Sequence, residues 1–147
     1  MRLTMISEAL DKRVGFNYSD PKTPFYLLKA WSVLFVLEKD FGREKIWVHI
    51  PKGFKSDGCT LKLKLFRILL GCSHTPQYLP ASLIHDYVLE HPEIVGYNRN
   101  LGSRLLYTAL LEENVHPFKA YLMYVCVDLY QLIKPCIIKI IDKLLNK

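Results

Sequence analysis

With 147 residues, half of them hydrophobic, the chain is long enough for one domain with its own core and too apolar for disorder or low complexity. Its net charge of +6, from 20 basic and 14 acidic residues, permits contact with phosphate or an anionic surface without requiring it. Most of the positive charge is lysine, and no interleaving of arginine with aromatics marks a stacking platform, so the composition does not point to nucleic acid.

In chain order, the first 50 residues predict strands. Residues 2–6 and 14–18 are short β-type runs joined by a polar connector, and Ser19-Asp20-Pro21-Lys22-Thr23-Pro24 is a turn because its prolines block both helix and central strand. Residues 25–37, rich in aromatic and β-branched side chains, fit one long strand better than a buried helix. Residues 39–43 turn the chain into a strand at 45–50, where His49 is expected at a surface or edge. Residues 61–70 start with strand periodicity and end with a helical stripe.

The second half predicts helices: 77–90, closed by His91-Pro92; about 98–113, with Asn98 as N-cap; 118–133; and a fourth from Pro135 to Leu145. The fold class expected is α+β, an N-terminal antiparallel β-sheet followed by a helical C-terminal half. Residues 1–134 would form the domain, and residues 135–147 a basic amphipathic helix. That helix would dock on the domain or touch a membrane surface, being too short and too charged to span one.

Four cysteines, Cys59, Cys72, Cys126 and Cys136, show no CxxC or zinc-finger spacing and are read as buried reduced thiols of a cytosolic protein. Residues 1–8 lack the apolar run of a signal peptide.

Two polar knots stand out. In Leu79-Pro80-Ala81-Ser82-Leu83-Ile84-His85-Asp86-Tyr87-Val88-Leu89 an imidazole and a carboxylate interrupt an apolar segment, and burying either is costly unless it is paired or used. On a helix the two diverge by about 100°, so His85 faces inward, Asp86 faces the rim, and a partner from elsewhere is expected. Gly53-Phe54-Lys55-Ser56-Asp57-Gly58-Cys59-Thr60 supplies candidates. Asp57 could orient His85 as a general base, or Asp57, His85 and Asp86 could hold a divalent metal that activates water, with Cys59 as nucleophile a third option. The same residues also have structural readings, Asp57-Gly58 as a turn and Thr60 as an N-cap.

At these knots the chain resembles the domain of unknown function 1353 family, found widely in bacteriophages and prophages. The family pattern is a strand ending in Pro-x-Gly-Phe, then x-x-Asp-Gly-Ala-Ser-x-Pro, later His-Asp-Tyr, then a helix with Arg and an Ala-Asp pair. Here these read Pro51-Lys52-Gly53-Phe54, Asp57-Gly58-Cys59-Thr60, His85-Asp86-Tyr87 and Arg99 to Gly102-Ser103, over about residues 43 to 125. Thr60 keeps a hydroxyl, Lys62 replaces a proline, and Ser103 replaces a carboxylate. The resemblance implies a phage setting, with the host cytoplasm as location, and brings little chemistry.

The expected function is binding, or hydrolysis, of a small polar ligand in a pocket built from His85, Asp57 and Asp86, with Thr60 and Arg99 as ligand contacts. The alternative is a non-enzymatic accessory or virion-associated protein, meeting a phage or host protein, in which the same residues only tie a loop to a helix.

Overall fold

The computed structural model describes residues 2–7, 14–16, 25–56 and 76–145. They form strands β1 (Arg2–Ser7), β2 (Val14–Phe16), β3 (Phe25–Leu27), β4 (Trp31–Lys39), β5 (Gly42–Ile50) and β6 (Lys55–Ser56), then helices α1 (Leu79–Glu90), α2 (Arg99–Glu112) and α3 (Pro117–Leu145). The antiparallel strands precede the helices, so the protein is α+β.

Strand β4 runs between β1 and β5 in a three-stranded antiparallel sheet. Its side chains alternate, burying Trp31, Val33, Phe35 and Leu37, and the register sets Trp31 opposite Ile50, Val33 opposite Val48 and Phe35 opposite Ile46. Each of these side chains contributes roughly 1.5–3 kcal/mol by leaving water. Leu3 and Met5 of β1 extend the same face, and the helices cover it with Leu83, Ile84, Leu105 and Leu110. On the outward face, exposed His49 stacks on Trp47 with ring centroids 5.4 Å apart, and its Nδ1 lies 2.8 Å from the Ser32 hydroxyl. His49 is therefore the surface histidine its alternation predicts.

The second sheet, β2-β3-β6, is small. Gly15 of β2 lies opposite Tyr26, whose ring packs over it so closely that a Cβ at position 15 would stand 2.4 Å from Cζ and the ring would have to shift.

Three expectations are corrected. Residues 25–37 do not make one strand: β3 and β4 belong to different sheets, and Leu28, Lys29 and Ala30, all exposed, break the alternation between them. Nor does the chain break before Pro135, because α3 runs through it for 29 residues, roughly 43 Å at about 1.5 Å per residue. Proline removes one intrahelical hydrogen bond, but Pro135 sits where the helix is exposed and water can take the freed carbonyl. Nor are Cys126 and Cys136 buried: Cys126 is half-buried and Cys136 exposed, and neither forms a disulfide among the described residues. No helix among them is long and apolar enough to cross a membrane. Residues 61–70, Cys59 and Cys72 lie outside the described residues.

Candidate functional site

The two polar knots do meet, through a turn that the sequence specifies. After β5, Phe54 N–H donates to the Pro51 carbonyl (3.3 Å), with Gly53 at φ +84°, a conformation that glycine enters without a Cβ penalty. Gly53 N–H donates to Leu27 O (2.7 Å) and Leu27 N–H to Phe54 O (3.0 Å), stitching the turn to β3 and delivering β6 to the side of α1. There the buried Ser56 hydroxyl donates to Asp86 Oδ2 at 2.5 Å, and the Phe54 ring meets Tyr87 edge to face at 5.1 Å. Asp57 and Thr60 lie outside the described residues.

His85 takes the other side of α1. One residue is about 100° of helix, so while Asp86 and Tyr87 address the strand side, His85 turns toward α2 and α3. It is nine-tenths buried, and among the described residues its ring has no hydrogen-bond partner. It lines a cavity of about 120 Å³ with Val88 and Leu89 from α1, Arg99, Gly102 and Ser103 from α2, and Gln131 from α3. The connector between α1 and α2 closes one side with Pro92, Val95 and exposed Tyr97. Tyr97 holds φ +60°, unusual for a residue with a side chain, and its N–H donates to Pro92 O at 2.9 Å. Burial lowers the His85 pKa from 6.5 to about 4, so the ring is neutral at pH 7, with one nitrogen able to accept and the other to donate.

Asn98 caps α2, its Oδ1 accepting from Leu101 N–H at 3.1 Å, which fixes Arg99 in the first turn. Arg99 Nη1 donates to the Asp128 carbonyl (2.7 Å) and lies 3.5 Å from Asp128 Oδ2. The buried Ser103 hydroxyl donates to Asp128 Oδ1 at 3.0 Å. Position 103 thus sets its hydroxyl against a carboxylate from α3. Of the sequence-predicted residues, His85 and Arg99 share the cavity wall, whereas Asp86 faces Ser56 outside it. Sequence reasoning missed Asp128, Gln131 and Tyr97 as site neighbours. The available signal was the lone acid in the apolar run Tyr124-Val125-Cys126-Val127-Asp128-Leu129-Tyr130.

The groups on hand are a neutral imidazole, a hydroxyl, an amide and a guanidinium with its carboxylate. Such a set can hydrogen-bond a polar group and, through the imidazole, take a proton. Among the described residues no three His, Cys, Asp or Glu side chains gather to hold a metal ion. No curated protein matches the chain, and no solved structure does. Residues 31–127, which include both knots and the whole of α1 and α2 and end one residue short of Asp128, match the family described as "Protein of unknown function (DUF1353)". The chain belongs to that family.

Proposed function

We propose that the cavity between α1, α2 and α3 binds a small polar group and that His85 is the residue that recognises it. One observation carries the reading: a nine-tenths buried imidazole faces a cavity without a hydrogen-bond partner among the described residues. Buried polar groups are nearly always paired, and leaving one unpaired costs about 1–3 kcal/mol, so a ligand or ordered water that bonds the ring recovers that loss. At about 120 Å³ the space is well below the roughly 300 Å³ of a typical small-molecule pocket. It suits a few heavy atoms or one terminal group of a larger molecule. Because Arg99 is matched by Asp128, an uncharged polar group such as an amide fits the site better than a multiply charged anion. Hydrolysis is the reaction open to it, with neutral His85 taking a proton from the attacking water. The phage or prophage setting and the host cytoplasm as location rest on the family resemblance alone. Fractionating infected or lysogenic cells would check both, and a purely periplasmic protein would sink the second.

The test is NMR of the His85 ring during titration with acetamide, acetate and inorganic phosphate. Acetamide is expected to shift the ring signals most and to raise the melting temperature of the unaltered protein but not that of His85→Leu, which by itself melts no lower. No response to any probe would remove the reading.

A second reading has its own support in the Ser56–Asp86 bond and the Phe54–Tyr87 contact. In it the His-Asp-Tyr motif is a fastener, the protein is a non-enzymatic accessory, and Asp86→Asn destabilises by about 1–3 kcal/mol while His85→Leu leaves every activity unchanged.

A further inference from the structure

The last part of α3 leaves the domain behind. Every described residue from Leu132 to Leu145 is exposed, yet this stretch is not polar. At about 100° per residue, Leu129, Ile133, Ile137, Ile140 and Leu144 fall within one arc about 80° wide, each with close to half or more of its surface in water; Ile141 lies about 40° beyond it, and Leu132, Ile138 and Leu145 add exposed apolar surface further round. Contiguous apolar surface of this kind marks a contact that the isolated chain does not satisfy. The match to the family ends at residue 127, so the stripe lies beyond the shared domain.

Charge decides between the occupants. Lys134 and Lys143 lie about 80–100° to either side of the middle of the stripe, and Lys139 sits further round, near the only acid of the segment, Asp142. Two copies packed along this stripe in parallel would bring lysine edges against lysine edges with no acid opposite, which opposes association. A bilayer with anionic headgroups matches the pattern. The isoleucines and leucines enter the acyl boundary while lysines at both edges reach back to the headgroups. Crossing is not open to a helix of this length and apolarity, so it would lie along the surface.

We propose that the segment of α3 from Leu129 to Leu145 is a membrane-surface helix that binds anionic lipid bilayers, independently of what the His85 cavity holds. The test uses the full chain and vesicles of phosphatidylcholine with and without phosphatidylglycerol, read by co-sedimentation. Binding is expected only with phosphatidylglycerol and should weaken as salt rises. Ile137→Glu with Ile140→Glu should abolish it, and Lys134→Glu with Lys143→Glu should weaken it by about tenfold or more. All four positions are exposed, so circular dichroism should show the folded domain intact in each variant. Two results overturn the proposal: no binding of the unaltered protein to anionic vesicles, or binding that survives Ile137→Glu with Ile140→Glu. Self-association by sedimentation velocity, without vesicle binding and lost in that isoleucine variant, also overturns it and makes a second copy the occupant.

Discussion

At His85 the surroundings hold the ring neutral down to about pH 4, while in the unfolded chain it takes a proton near 6.5. Between those values the unfolded state binds more protons, so stability is full above pH 6.5 and declines as the pH falls through this window. The shift of about two to three units corresponds to roughly 3 kcal/mol at the acid end. Urea denaturation of the unaltered protein and of His85→Leu across pH 7 to 4 should show the unaltered protein losing stability relative to the variant toward acid, by that order. A constant difference would mean the ring is not buried in solution. The inward turn of His85 and the rimward turn of Asp86 were legible from helical spacing alone. The partner of Asp86 was not, because Ser56 lies 30 residues away and an Asp-Gly dipeptide beside it was the more conspicuous feature.

At the level of elements, the turn after β5 sets where the strand side of α1 finds its partner. A Cβ on Gly53 would meet no atom within 4 Å, so whatever Gly53→Ala costs comes from the backbone at φ +84° and not from crowding. The expected loss is about 1–2 kcal/mol, seen as a lower urea midpoint at unchanged slope. No loss would show that the turn relaxes to another form. Single elements with a clean period were readable: β5 by its alternation, α1 by its apolar stripe, α2 by Asn98. Two boundaries were not. The bend at residues 28–30 carries neither proline nor glycine, and it arises because Leu27 is claimed by the Phe54 turn while Trp31 is claimed by the main sheet. At Pro135 the local signal was present and was overruled, since a proline on an exposed stretch of helix forfeits one hydrogen bond that water can replace.

For the molecule as a whole, the order of strands before helices followed from the change of hydrophobic period halfway along the sequence. Its division of labour did not. The His-Asp dipeptide suggested one pocket, whereas the fold puts its members on two sides of α1, one bonded to β6 and one facing the helical half. Such a split depends on which elements pack on each face of α1, and the residues involved are separated by tens of positions. The same holds for α3, whose first half lends Gln131 to the cavity wall and Asp128 to the wall residues Ser103 and Arg99, while its second half extends past the domain. The sequence set the second half apart as an amphipathic helix from Pro135, but gave no hint that the first half completes the cavity wall.

The meeting of Ser103 with Asp128 leaves room for one negative charge between the two positions, whichever of them carries it. At 103 the resemblance implies an acid where this chain has serine, and a carboxylate stands beside that position in space. Relatives with Asp at 103 should then tend to lack an acid at 128, so that the two sites trade a single negative charge. The trade can be made by hand. Ser103→Asp alone sets two carboxylates side by side and should destabilise by about 1 kcal/mol or more, and adding Asp128→Ser should recover most of it. Additive effects in that double-mutant cycle would show that the two positions evolve independently.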